Sequence, residues 1–142
     1  MNFSCLVLGG SGFLGSHLCE ALLRAGHRVK VLVPDGGSLR NLDGIINQIE
    51  ILRFDLNEAG KKDDIWSGVD RVFHLACTTR PKTANDNPAR DLEENLVPTV
   101  RILDRCVAND VGRIIFISSG GTIYGKSKNV PITEDCPTNA CC

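Results

Sequence analysis

The residues with the clearest chemical meaning are three glycines spaced by two, Gly9, Gly12 and Gly15, in the run Gly9-Gly10-Ser11-Gly12-Phe13-Leu14-Gly15. They follow a short apolar run, Phe3 to Leu8, and open a stretch of helical periodicity. In that setting the first glycine permits a tight turn and the second lets the backbone approach a pyrophosphate. The third lets helix and strand pack closely. Free amides and the dipole at a helix start then attract negative phosphates. A glycine turn needed only for packing is the alternative, and the strand–turn–helix context favours the phosphate cradle. Seven cysteines are the other reactive group. Cys5, Cys19, Cys77 and Cys106 are scattered among apolar neighbours, where a reduced thiol acts as a small hydrophobe. Cys136, Cys141 and Cys142 cluster late in the chain without a Cys-x-x-Cys pair or a histidine partner, so no metal site is expected. The Cys141-Cys142 pair is expected to oxidise readily in air.

The elements that must position these residues alternate between strand and helix. Leu14, Leu18, Ala21, Leu22 and Ala25 recur at three and four, predicting a helix from Phe13 to Ala25 that Gly26 stops. Val29, Val31 and Val33 mark a second strand closed by Pro34-Asp35-Gly36-Gly37. Ile49 to Phe54 reads as a third strand, Arg71 to Ala76 as a fourth and Arg113 to Ser118 as a fifth, with a short helix between Lys61 and Gly68. Asn87-Pro88 starts a long helix running to about Asn109, with a kink expected at Pro98. This alternation predicts parallel βαβ units in a doubly wound, Rossmann-like α/β sheet. The 142 residues make one domain, with 16 basic against 17 acidic residues, a net charge of −1 and 5% aromatic content. That balance argues against nucleic acid or an acidic lipid surface as partner. The N-terminus shows no signal-peptide pattern, and no apolar stretch reaches the roughly 18 residues of a membrane helix, so a cytoplasmic protein is expected.

The glycine spacing is Gly-x-x-Gly-x-x-Gly, and here the chain resembles the extended short-chain dehydrogenase/reductase superfamily, in its NAD-dependent epimerase/dehydratase branch acting on nucleotide sugars. Further runs carry the resemblance over almost the whole chain. Asp55-Leu56 resembles the pair that reaches the adenine, and Val72-Phe73-His74-Leu75-Ala76-Cys77 resembles the Val-x-His-Leu-Ala-Ala strand end beside the cofactor. Asn95 and Thr99 match Asn-Val-x-Gly-Thr, Phe116 to Gly125 resembles Ser-Ser-x-x-x-Val-Tyr-Gly, and Pro131 to Asp135 resembles the Pro-Ile-x-Glu that follows. The resemblance implies NAD as cofactor, NADP being the other possibility. The implied cofactor residues are Gly9, Ser11, Gly12, Phe13, Leu14, Gly15, Asp35, Arg40, Asp55, Leu56, Leu75, Ala76, Cys77, Asn95 and Ser118.

Departures from that pattern carry information. The acidic residue usual at the end of the second strand is Val33 here, with Asp35 two residues on. Asp35 either reaches the ribose diol or only forms the turn, and Arg40 is the candidate for a 2′-phosphate. Pro98 stands where the family has glycine, and Gly120 where it has a catalytic Ser or Thr. Ser119 and Thr122 are the substitutes, expected at a strand end facing the switch-point crevice, unless they only satisfy turn amides. His74 either orients the cofactor or is a core histidine bonded to backbone.

The family's chemistry needs Tyr-x-x-x-Lys, a tyrosine acid/base with a lysine that lowers its pKa. The only tyrosine is Tyr124, and Lys128 stands four residues on, but Tyr124 belongs to the Tyr-Gly pair after the fifth strand. In relatives the motif begins a few residues beyond Pro137-Thr138-Asn139. The expectation is therefore an N-terminal, dinucleotide-binding portion spanning residues 1–142. It stops before the later strands, the catalytic helix and the substrate domain, and has no turnover alone; an NADP-linked ketone or aldehyde reductase of the same superfamily and a non-catalytic NAD(P)-binding regulatory module are the alternatives. The full-length form is expected to bind a nucleotide sugar and to be a homodimer. Leu92, Leu96, Val100 and Leu103 on the long helix are then left partly uncovered.

Overall fold

A computed structural model describes residues 1–126 and 130–139. Strand β1 (Ser4–Leu8) is followed by α1 (Phe13–Arg24) and β2 (Arg28–Val33). Next come β3 (Glu50–Arg53), the single turn α2 (Leu56–Ala59) and β4 (Arg71–His74). Short helices α3 (Pro81–Asp86) and α4 (Pro88–Asp91) lead through a π-helical turn, Leu92–Leu96, into α5 (Val97–Ala108), β5 (Arg113–Phe116) and the short α6 (Gly120–Tyr124). All five strands are parallel, in the order β3-β2-β1-β4-β5.

Helices cover both faces, which explains why the central strand β1 reads as an almost continuous apolar run. Every residue of β1 is buried. Cys5 and Val7 face one cluster with Cys19, Val31, Val33 and Leu42, beneath α1. Leu6 and Leu8 face the other, with Trp66, Val72, Ile102 and Cys106, beneath α5. The first turns of the chain are pinned across the sheet. The Ser4 amide donates to the Asp70 carboxylate at 2.7 Å, and the Asp70 amide returns to Ser4 O at 2.8 Å.

The helix expected between Lys61 and Gly68 lies earlier. Asp55 caps α2 by accepting the Glu58 amide at 2.9 Å, and residues Asp64–Trp66 form only a 3₁₀ turn. Gly60 closes the turn as its C-cap, and a Cβ there would lie 2.5 Å from Arg101 Cβ, so α5 passes too close for any side chain at that position. Trp66 anchors the turn in the core and donates Nε1–H to Ala59 O at 3.1 Å. The kink expected at Pro98 takes the form of the π turn, in which Val97 N–H reaches back to Leu92 O. Without an amide of its own, Pro98 sits buried in the first turn of α5. Strand β4 ends at His74 and β5 at Phe116, each two residues short of expectation, and Gly120–Tyr124 is helical where no helix was expected. The expected row Leu92, Leu96, Val100 and Leu103 is indeed left open, at 50%, 54%, 49% and 41% exposure.

Candidate functional site

The strand order reverses between β1 and β4, and the crevice at such a switch point is where open α/β sheets take ligands. The chain leaves β1 through Gly9, whose φ of +84° suits glycine. A Cβ there would also lie 2.9 Å from Ala76 N, so the loop runs tight against the end of β4. Gly12 N–H closes the turn onto Gly9 O at 3.1 Å, and Ser16 N–H returns to Gly12 O. A Cβ on Gly15 would lie 2.3 Å from Gly9 O, whereas one on Gly12 meets only that oxygen, at 3.3 Å. Gly15 is thus demanded by packing, and Gly12 leaves the outer side of the loop open. Gly12 N-caps α1 in extended backbone without a side-chain acceptor, leaving the first-turn amides free for an anion. This backbone cradle fits a pyrophosphate.

Two clefts meet at the strand ends. One, of about 350 Å³, is lined by Gly9, Gly12, Leu32, Pro34, Phe54–Leu56 and Leu75–Thr78. The other, of about 420 Å³, is lined by His74–Cys77, Asp91, Asn95, Leu96, Thr99 and Phe116–Ser119. Leu75, Ala76 and Cys77 form the wall they share. A larger depression, about 480 Å³, lies between α2 and α5, but its Arg105 is already tied to Gly60 O and to the Asp63 carboxylate.

The clefts gather Gly9, Gly12, Asp55, Leu56, Leu75, Ala76, Cys77, Asn95, Ser118 and Ser119. Ser11 is half-buried on the glycine loop, and Phe13 and Leu14 are exposed at the start of α1. Asp35 stands at the exposed tip of a turn closed by Gly37 N–H on Pro34 O, outside both clefts. Arg40 is also outside, exposed at the start of a 3₁₀ turn with its amide on Ser38 Oγ. Thr122 lies within α6 rather than at a strand end, and its Oγ1 donates to Ser119 Oγ at 3.2 Å. Lys128 and the Cys141–Cys142 pair fall outside the described residues. Cys77 is exposed, unlike Cys5, Cys19 and Cys106, whose burial raises their thiol pKa values, that of Cys19 to about 12. Its position just beyond the strand end, rather than its apolar neighbours in sequence, decides this.

Two networks hold the shared wall. His74 is buried at the end of β4, its Nε2 3.1 Å from Thr99 Oγ1. Thr99 donates its hydroxyl to Asn95 O at 2.7 Å, so the proton is assigned to Nε2 and Thr99 accepts it. His74 is thus buried and bonded to a side chain while also lining the second cleft, and burial lowers its pKa. Asn95 Oδ1 accepts the Thr78 amide at 2.9 Å, and its Nδ2 donates to Thr79 Oγ1 at 3.0 Å and Asp91 Oδ1 at 2.9 Å. Thr79 also donates to Asp91. Asp91, Thr78 and Thr79 were missed from sequence, although the four-residue Asp91–Asn95 spacing places both on one helix face. Asn41 was missed too; its Nδ2 donates to Ser11 O at 2.9 Å and ties down the glycine loop.

Comparison with known proteins agrees with this geometry. A family model described as the NAD dependent epimerase/dehydratase family matches residues 5–141. UDP-glucose 4-epimerase of Mycolicibacterium smegmatis is 34% identical over 138 residues, covering 94% of this chain and 44% of that protein. Dihydroflavonol 4-reductase of Arabidopsis thaliana is 36% identical over 129 residues, covering 82% of this chain and 32% of that protein. The crystal structure of UDP-glucose 4-epimerase from Bifidobacterium longum in complex with NAD+ and UDP superimposes with a TM-score of 0.84 at 28% identity, over 96% of this chain and 42% of that one. The chain thus spans less than half the length of these relatives. Its fold is a Rossmann-like α/β sheet of five parallel strands, no helix among the described residues is long and apolar enough to cross a membrane, and the chain belongs to the NAD-dependent epimerase/dehydratase family.

Proposed function

We propose that residues 1–142 form the dinucleotide-binding portion of an NAD-dependent nucleotide-sugar epimerase or dehydratase, and that this portion alone does not turn over a sugar. The observation that carries the reading is the uncapped start of α1 behind Gly9-x-x-Gly12-x-x-Gly15, opening into a groove at the switch point. In this reading the backbone of Gly9, Ser11, Gly12, Phe13, Leu14 and Gly15 holds the pyrophosphate. Asp55 and Leu56 border the adenine, while Leu75, Ala76, Cys77, Asn95 and Ser118 border the nicotinamide side. Ser119 faces substrate, and Thr122 acts through its hydrogen bond to Ser119. A bound dinucleotide supplies hydride transfer. The chain's own residues bind it, orient it and fix the wall between the two clefts.

A reductase of the same superfamily, linked to NADP and acting on a ketone or aldehyde, is the second reading, and the dihydroflavonol 4-reductase relative favours it. The half-exposed row on the π turn and α5 supports a homodimer of the longer form. Titration with NADH, followed by cofactor fluorescence, tests the site, and saturable binding is the expected result. Absence of binding would overturn the reading of the groove. Measurable epimerisation or dehydration of a nucleotide sugar by the purified chain would overturn the claim that it has no turnover.

A further inference from the structure

Discrimination between NAD and its 2′-phosphorylated form is made where the second strand ends: a carboxylate takes the ribose diol, and an arginine accommodates the phosphate. Here β2 ends in Val33, fully buried, and Pro34 lines the groove in the place beyond it. Asp55, the one carboxylate lining this groove, accepts the Glu58 amide as the cap of α2. The sheet register then sets a cation beside the ribose-reading position, because Val33 pairs with Arg53. Arg53 lies over the turn that follows β2. Its Nη1 donates to Gly37 O at 2.8 Å and to Pro34 O at 3.4 Å.

Both acceptors are neutral carbonyls, so the guanidinium charge is not cancelled. Among the described residues no carboxylate comes within salt-bridge distance of it, and its Nε and Nη2 make no hydrogen bond. A guanidinium anchored through one nitrogen, with donors to spare, is a planar fork matched to a phosphate. Of the carboxylates that would oppose a phosphate, Asp35 at the tip of the same turn stands outside the groove, and Asp55 within it is engaged as the cap of α2. Neither Arg40, the cation suggested by sequence, nor Arg53 lines the groove itself, but the Arg53 guanidinium is held to the turn that follows β2, on the carbonyl of the groove-lining Pro34.

We infer that the adenosine-ribose end of this groove admits a 2′-phosphate with Arg53 as its counter-charge, so that the chain binds NADPH alongside NADH. This rests on the groove being a dinucleotide site, and one set of titrations separates the two claims. NADH and NADPH are titrated by fluorescence against the 142-residue chain, the Arg53→Gln variant and the Arg53→Lys variant. The expected result is Kd values for the two cofactors within about tenfold of each other in the parent chain. Arg53→Gln weakens NADPH by about tenfold and NADH by less than about twofold, whereas Arg53→Lys keeps most of the NADPH affinity. NADH binding with NADPH weaker by more than about a hundredfold overturns the inference and leaves the groove intact. Equal loss of both cofactors in Arg53→Gln, unrestored by lysine, also overturns it, since Arg53 then only braces the turn. Binding of neither cofactor to the parent chain overturns the dinucleotide site itself.

Discussion

Replacing Gly12 and Gly15 by alanine, one at a time, separates ligand contact from packing within a single loop. Gly12 has φ −73° and ψ 175°, backbone that any residue adopts, and its added Cβ meets only Gly9 O at 3.3 Å. That oxygen needs to yield by a few tenths of an ångström, and losing glycine at an N-cap costs at most about 1 kcal/mol. At Gly15 the Cβ would sit 2.3 Å from Gly9 O, 2.6 Å from Gly10 Cα and 3.0 Å from Gly10 C. All three are backbone atoms, so the loop or α1 must move, an overpacking cost of about 1–3 kcal/mol. Trp66, the only tryptophan and fully buried, reports unfolding in urea. A loss of about 2 kcal/mol moves the urea midpoint by about 1 M for a typical small-protein slope. Gly44→Ala, with nothing within 4 Å and no positive φ, is the silent control. Against NADH the order inverts in its cause. Gly12→Ala weakens binding by at least about tenfold, or about 1.4 kcal/mol, with the midpoint lowered by no more than about 0.5 M. Gly15→Ala loses stability and binding together. Parent-like NADH affinity in Gly12→Ala would refute the phosphate cradle, and a parent-like urea midpoint in Gly15→Ala would refute the packing argument.

Asn95→Ala frees the Thr78 amide and the Thr79 hydroxyl together, so hydrogen exchange at Thr78 should rise by about tenfold or more and NADH affinity should fall. Unchanged exchange would show that the wall is held by other groups. His74 is kept neutral in the fold by burial, with its pKa below the ordinary 6.5, while the unfolded chain takes up the proton. Its contribution to stability is therefore complete above pH 6.5 and is lost as pH falls toward the lowered value. Urea midpoints measured at about pH 7.5 and about pH 5.5 should differ less in His74→Gln than in the parent chain, and an equal drop would remove His74 as the cause. Iodoacetamide followed by peptide mass spectrometry should label Cys77 well before Cys5, Cys19 and Cys106, and saturating NADH should slow Cys77 alone. Labelling of Cys77 indifferent to NADH would place the ligand elsewhere.

Much of the fold was legible because the centre of the sheet is buried on both faces. An apolar run marked β1, alternating valines marked β2, short apolar stretches marked the other strands, the glycine spacing marked the β1–α1 joint, and Asn87 appears as the cap that its sequence suggested, accepting the Arg90 amide. The misplacements share one origin, tertiary contact overriding local pattern. The α2 turn ends at Gly60, where α5 leaves no room for a side chain, and the π turn absorbs Pro98 without a break in the helical row. The glycine loop was readable as a site because its function resides in backbone. The residues bracing the site were not. Asn41, Thr78, Thr79 and Asp91 act through side chains brought together across 12 to 30 residues, and no local spacing records such meetings. Arg53 needed the register as well, since only the pairing with Val33 puts it beside the ribose-reading position.

The central place of β1 sets an order on folding. One neighbour, β2, follows closely, as the Phe3–His27 contact across 24 residues shows, whereas β4 is joined through Ser4 and Asp70 across 66. Closing the longer loop costs only about 0.9 kcal/mol more in chain entropy, but it must come later as the chain emerges during synthesis. Until it does, Ser4–Leu8, apolar from Cys5 onward, has one bare edge, the kind of strand that recruits other chains. The same late pairing brings Leu75–Thr78 against the glycine loop. A nascent chain therefore carries its phosphate loop for a long interval before it owns the groove, and a dinucleotide can reward only the final closure.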